Sequence, residues 1–482
     1  MNKAISIKGL QPYGFLGMTT RAPAIALALL LSACASPDWQ QPQLALPAQW
    51  DALAPVAAGT VPAAAPTPLA ANDAAFWQGY GDAQLVQLLQ TASVQNNDLA
   101  AAAIRLRKAG LAVDQRGQDR LPNVTLGASS GASWEVDPTR HVNDNFSASF
   151  GVSWEIDLWG RLADQQAAAR WRQTASQAEL DALQLSIRTD VATAYWTIAR
   201  DQEALTQASE ELVRAQQLQQ QVDKRYAAGV VSGLDVTQAR ANVIQQQNRV
   251  ASARLALAKS RWALGVLLNQ TPESTSGISA VLPETFPAVP AGLPAEVLDR
   301  RPDLAAATAS LRAAFADQEA SRKSWYPTLS LTGSLGSNSL DLVDLLANPA
   351  ASLGAGLALP FIQWNEMQTA LKISEADYEL AVIAYRQKLL GALQEVENAL
   401  ATRSQLIDAL PRSEQLYADN RKSEAQTLLR YQAGAVSFEA VLNAQTRRKA
   451  AELDWLQDRY QLALANVQVY KVLGGVPAVT EQ

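Results

Sequence analysis

Between Val124 and Val136 apolar and polar positions alternate with a period of two. The even positions read Val124, Leu126, Ala128, Ser130, Ala132, Trp134 and Val136; the odd ones read Thr125, Gly127, Ser129, Gly131, Ser133 and Glu135. A second run sets Phe146, Ala148, Phe150, Val152, Trp154 and Ile156 against Ser147, Ser149, Gly151, Ser153 and Glu155. Such alternation over roughly ten residues predicts a tilted strand able to cross a bilayer, one face in lipid and the other in water. Strands of a soluble sandwich alternate too, but here the second face is almost wholly Ser, Thr and Gly. Trp154, Trp159, Trp325, Tyr326 and Trp364 fall near strand ends and are expected to form an interfacial aromatic girdle.

The pattern occurs twice. LPNVTLGASSGASW is answered by YPTLSLTGSLGSNS, and WEIDLWGR by LPFIQWNE. Pro122 and Pro327, Leu126 and Leu331, Trp159 and Trp364, and Arg225-Tyr226 and Arg430-Tyr431 all stand 205 positions apart. In the second half Leu329, Leu331, Leu335, Leu353, Ala355, Leu357, Leu359 and Phe361 are expected outward, and Ser330, Thr332, Ser334, Gly354, Gly356 and Ala358 inward. A fixed offset over so many positions implies two equivalent halves. Four strands cannot close a barrel, and an open edge in hydrocarbon leaves backbone groups unpaired. The chain is therefore expected to share its barrel with copies of itself.

The rest of the pattern is helical. A helix is expected from Asp82 to about Gln118, and from Arg161 to Ala228 there is neither glycine nor proline, which predicts a helix of roughly 100 Å. Leu205, Ala208, Leu212, Ala215, Gln219, Val222 and Tyr226 keep a heptad near its end. The next helix has Val236, Val243, Val250, Leu257 and Leu264 on one seam, with Ala239, Gln246, Ala253, Ser260 and Leu267 on the other, as close antiparallel packing requires. Pro411 is expected to kink the long helix of the second half. Each helix pair turns through a short loop in which Gly229 or Gly434 suits a left-handed cap and Ser232 or Ser437 an N-cap; Asp235 completes a capping box with Ser232.

These signals divide the chain into a signal peptide at 1–33, a lipidated tether at 34–75 and a first repeat at 76–270. Strands are expected at about 123–136 and 146–157, and helices at about 161–228 and 234–269. A Pro-rich connector at 271–302 leads to a second repeat at 303–475. Its strands are expected at about 328–338 and 352–362 and its helices at about 366–433 and 438–473, before a tail at 476–482. The leader ends in AIALALLL and Leu31-Ser32-Ala33-Cys34, too short to span a membrane and shaped like a secretory signal; Met18 is an alternative start. Those four residues resemble a bacterial lipobox, which implies that Cys34 carries a covalent lipid. The Ala35-Ser36 that follow imply an outer-membrane address. Cys34 is the sole cysteine, so no intrachain disulfide forms.

Net charge of −6 argues against nucleic acid as a partner. There is no phosphate-binding loop, CxxC pair or histidine cluster, and the single histidine, His141, falls between the first two strands. No catalytic residue, metal site or cofactor is expected, only the lipid on Cys34.

Taken together, the lipobox, PNVTLGASSG with WEIDLWGR, RYAAGVVSGLDV with RYQAGAVSFEAVLNAQ, and LPAEVLDRRPDLAAA resemble the outer membrane factors. These are exit ducts of the TolC type, here of the NodT or OprM-like lipoprotein branch. The resemblance implies an α+β membrane protein. It would be a homotrimer sharing a twelve-stranded barrel continued by a long α-helical barrel through the periplasm. It further implies passive export of drugs or other toxic solutes, with a periplasmic adaptor and an inner-membrane pump of the RND type as partners. Gly229, Ser232, Gly434 and Ser437 match the family's adaptor-contact hairpins. Asp235, Phe438, Glu439 and Asn443 are expected around the periplasmic aperture, Asn443 replacing an aspartate common in relatives. A type I protein-secretion duct shares this architecture, and a structural coiled-coil lipoprotein accounts for the helices but not the strands.

Overall fold

The computed structural model describes residues 39–41, 75–134, 142–287, 300–347 and 349–475. The expectations for Cys34, His141, residues 135–136, the tail and most of the tether fall outside them. In chain order the main elements are helices α1 (Ala83–Gln95) and α2 (Asn97–Gln118), strands β1 (Asn123–Trp134) and β2 (Val142–Ile156), and helices α3 (Arg161–Ala227) and α4 (Gly233–Leu267). Then come α5 (Pro302–Lys323), β3 (Thr328–Ser339), β4 (Ala350–Ala358), α6 (Trp364–Gln432) and α7 (Phe438–Val472). Positions 97 and 302, 123 and 328, and 233 and 438 open equivalent elements, each pair differing by 205. Among the described residues no helix is long and apolar enough to cross a membrane.

The elements gather into two compact units, each drawing on both halves of the sequence. Among the described residues, one takes 39–41, 122–134, 142–163, 319–347 and 349–368; the other takes 75–121, 164–287, 300–318 and 369–475. The first holds a single antiparallel sheet in the order β1-β2-β3-β4. Val124 faces Val152 and Leu126 faces Phe150 across the first pair, Phe150 faces Leu335 across the second, and Leu329 faces Leu357 across the third. Two strand ends differ from expectation. β2 starts at Val142 rather than near 146, because Asn143, Asp144 and Asn145 still pair with β1; backbone hydrogen bonds need no apolar side chain. β4 ends at Ala358 rather than 362. Pro360 cannot donate to a ladder, and Pro360–Ile362 form a 3-10 turn that takes Leu359 and Phe361 off the sheet.

Helices dominate the second unit. Its core centres on Trp196, Tyr195, Leu85, Leu264 and Tyr470, and Phe76 stacks on Tyr470 at 4.4 Å. Asp82 caps α1 through the amides of Gln84 and Leu85 and also accepts the Tyr195 hydroxyl at 2.7 Å. Burial, and behind it Asp82, pushes the Tyr195 pKa well up. Asn96 caps α2 and donates its amide to the Leu267 carbonyl, fastening the end of α4. On α4 all five residues of the Val236–Leu264 seam are buried, and Ala239, Gln246 and Ser260 of the other seam are buried with them. The α3 heptad holds less well: Ala215 and Val222 are buried, but Leu218 is buried in place of Gln219 and Tyr226 is 53% exposed. α6 passes through Pro411 without interruption.

The RRPDL motif closes this unit. Arg301, 6% exposed, donates to the Val472 carbonyl at the end of α7 and to the carboxylates of Asp303 and Glu395. Burial alone would raise the Asp303 pKa; the bonds from Arg301 and Lys388 outweigh it and hold the carboxyl below its usual range. A depressed carboxyl contributes stability that is present above its unfolded value, about 3.9, and lost as pH falls through the folded one. Arg301→Ala is expected to cost about 2–3 kcal/mol at neutral pH, below the cost of breaking a fully buried pair because Glu395 is half exposed. Circular dichroism melts should show the gap between the two proteins narrowing below about pH 4.

Candidate duct wall and hairpin tips

The sheet presents two chemically distinct faces. On one, Leu126 is 84% exposed, Leu353 94%, Leu357 65% and Val124 58%, with Phe150 and Leu335 beside them. An open apolar surface of this kind has no place in water and fits lipid. The other face is hydroxylated. Ser129 and Ser147 pair at 2.7 Å, Ser334 and Ser352 at 2.8 Å, and Thr332 reaches the Gly354 carbonyl at 3.4 Å. Glu155 brings charge to this face, and Arg161 neutralises it through two bonds of 2.7 and 2.8 Å.

WEIDLWGR makes the turn from β2 into α3. Asp157 accepts from the amides of Leu162 and Ala163, satisfying free donors at the helix start. The Trp159 indole donates to the Pro327 carbonyl at 2.7 Å and meets Tyr326 edge-on at 5.5 Å. Gly160 takes φ +77, where a side chain is strained. Trp154, Trp159, Trp325, Tyr326 and Trp364 all flank the sheet end where β2 and β4 finish and β3 begins. The expected girdle is thus grouped at one end. Trp364 is 62% exposed, whereas Trp159 is engaged in the turn.

At the helical hairpins the expected caps are in place. Gly229 and Gly434 adopt φ +73 and +78 with no atom within 4 Å of an added Cβ, so backbone conformation rather than crowding demands glycine there. Ser232 and Asp235 form a reciprocal capping box, and Ser437 accepts from the Ala440 amide. Glu439 and Asn443 are exposed. Phe438 departs from expectation. It is 1% exposed, packs on Tyr431 at a ring distance of 5.6 Å, and joins Leu218, Val222, Val236 and Val441 in a small core inside the tip. It holds the two hairpins together instead of narrowing a mouth.

The sequence reading missed a knot of charge. Arg448, 1% exposed, binds Glu211 on α3, Glu424 on α6 at 2.8 Å and Glu452 on its own helix. Lys449 adds a bond to Glu211, and the Tyr417 hydroxyl donates to Glu452. Burial would lower the Arg448 pKa, but the glutamates outweigh it and raise it. Burial pushes the Lys449 pKa down, Arg249 and Arg448 adding to the effect while Glu211 opposes it. The available signal was periodicity: Arg448 stands seven after Val441 and fourteen before Leu462, a charge in a row of seam positions. Among the described residues no group of His, Cys, Asp and Glu is arranged to hold a metal.

A sheet with one oily and one hydroxylated face, in a chain whose other unit is built of long helices with capped tips, is the build of an outer-membrane channel protein. Comparison with known proteins narrows the class. The family profile described as outer membrane efflux protein matches residues 88–270 and 293–475, two segments whose ends are again 205 apart. The chain belongs to the outer membrane efflux protein family. The pyoverdine export outer membrane protein OpmQ of Pseudomonas aeruginosa is 31% identical over 469 residues, spanning 94% of this chain and 96% of the relative. Toxin and drug export protein A of Aggregatibacter actinomycetemcomitans is 29% identical over 406 residues, 84% and 89% of the two chains. The solved outer-membrane channel OprN superimposes with a TM-score of 0.79 at 27% identity, covering 92% of this chain and 99% of its own.

Arg448→Ala is expected to destabilise the helical unit by about 3–5 kcal/mol, the cost of leaving buried carboxylates without their cation. Arg448→Lys restores charge without the planar fork and should recover only part of it. Hydrogen exchange of α6 and α7 amides would show the loss, and unchanged protection in the alanine variant would exclude the knot as a fastening.

Proposed function

We propose that this outer-membrane efflux protein works as a homotrimeric exit duct, passively passing drugs or other toxic solutes delivered by an inner-membrane pump of the RND type through a periplasmic adaptor. One observation carries the reading. The four-stranded sheet is built for lipid on one face and water on the other, and among the described residues its two outer strands, β1 and β4, each leave one edge unpaired. Three copies supply twelve strands, an even number that closes the wall and removes every edge. Trp154, Trp159, Trp325, Tyr326 and Trp364 would settle at the lipid–water boundary. Cys34 would carry the lipid that keeps the chain at the outer membrane.

In this reading the hairpin tips dock the adaptor through Gly229, Ser232, Gly434 and Ser437 and surround the periplasmic aperture with Asp235, Glu439 and Asn443. Acidic groups around a narrow opening favour cations through their local field. Asp235 also caps its helix, so its charge must be removed without removing its acceptor oxygen.

The trimer reconstituted in planar bilayers is expected to conduct with a preference for cations. The double variant Asp235→Asn and Glu439→Gln should reduce that preference and raise conductance; an identical reversal potential would exclude these carboxylates from the aperture. Mass spectrometry of the mature protein should find a diacylated N-terminal cysteine, lost in Cys34→Ser. An unmodified wild-type cysteine would remove the anchor.

A further inference from the structure

The two halves of the chain meet along α3 and the hairpin of α6 and α7, and two of their contacts have idle counterparts. Arg459 bonds Glu203 at 3.5 Å, and the Arg225 guanidinium lies 4.6 Å from the centre of the Tyr431 ring while donating to the Tyr431 carbonyl. Asp408 stands 205 positions after Glu203, and Arg254 stands 205 before Arg459. Arg430 and Tyr226 hold the same relation to Arg225 and Tyr431. All four counterparts are exposed. Among the described residues none of their side chains makes a hydrogen bond, ion pair or ring contact. Tyr226 is 53% exposed where its equivalent Tyr431 is 4% exposed. The sequence has kept matched chemistry at positions that a single chain does not use.

We propose that the contacts joining the halves inside one chain recur between copies. Asp408 then pairs with Arg254 of the partner subunit, and Arg430 lies over the ring of the partner's Tyr226. The proposal rests on the closed ring of copies set out above. In such a ring the first half of each chain has a second half on both sides, one its own and one from a neighbour. In both halves the long helices end at equivalent positions, Ala227 and Gln432, and the helices that follow, Gly233–Leu267 and Phe438–Val472, have equivalent bounds, so the hairpins offer similar surfaces and similar contacts form at both junctions. Opposite charge in one pair, and cation and ring in the other, are what that equivalence requires.

The knot at Arg448 shows where equivalence stops. Its counterparts are Val243 for Arg448 and Leu416 for Glu211. The ionic contact of the inner junction has an apolar counterpart: Val243 is already 8% exposed within its own chain, and Leu416, 53% exposed in one chain, would be covered. The junction between copies therefore relies on apolar contact with Asp408–Arg254 and Arg430–Tyr226 at its rim.

Exposed ion pairs contribute little to stability, so proximity is a better readout than melting. In the full-length protein in outer-membrane preparations, Arg254→Cys combined with Asp408→Cys should be joined by a short thiol-reactive bis-electrophile. Covalent dimers and trimers are expected on denaturing gels, as they are from Tyr226→Cys with Arg430→Cys. Each single variant and the out-of-register pair Lys259→Cys with Asp408→Cys should give none. Native gels of the same samples separate the two possible failures. Intact trimers with no cross-linked product would overturn the pairing and leave the duct standing. Absence of any oligomer would overturn the closed ring and the pairing with it.

Discussion

An unpaired strand edge inside hydrocarbon is the constraint on which the rest of this protein depends. Each free backbone N–H or C=O that lipid cannot hydrogen-bond costs several kcal/mol, and the sheet leaves two such rows, on β1 and β4. Residues such as Leu126 and Leu353 commit one face to lipid, so the edges cannot be relieved by water along that stretch. Only another strand can satisfy them. The same demand explains the alternation of large and small side chains: glycine and short hydroxyl residues leave the inner face open while the backbone ladder stays complete.

The helical unit solves a different problem. Water is available there, so its cohesion comes from burying apolar stripes on long helices and from finishing every end. Small and branched residues alternate along α4, and serine caps with left-handed glycines close both hairpins without a long loop. Between the large core around Trp196 and the small core around Phe438 lies the Arg448 knot, where three helices meet through charge. A buried ion network adds little net stability compared with apolar packing but penalises misalignment strongly. Here it ties α3, α6 and α7 to one another at a single level.

The repeat gives the two halves common rules and different tasks. Tyr226 and Tyr431 occupy the same place, yet one is exposed and the other sits beneath Arg225 and against Phe438. Val243 and Arg448 share a heptad position and carry opposite chemistry.

Periodicity alone determined the strands, the long helices, the caps at Ser232, Gly229, Ser437 and Gly434, and the division into halves, because each is a local choice written in nearby residues. It also showed that one chain could not complete the wall. The early start of β2, the end of β4, the burial of Phe438 and the company of Arg448 were decided only by tertiary structure. Phe438 and Arg448 meet Val222 and Glu211, each more than two hundred residues away in sequence, whereas the two strand ends were set by backbone pairing with β1 and by the break at Pro360. A heptad records that a position faces a neighbour, not which neighbour, so Phe438 reads equally well as a pore constriction or a core residue. Packing against Tyr431 and Val222 made the choice, by the burial of apolar surface that no local pattern encodes.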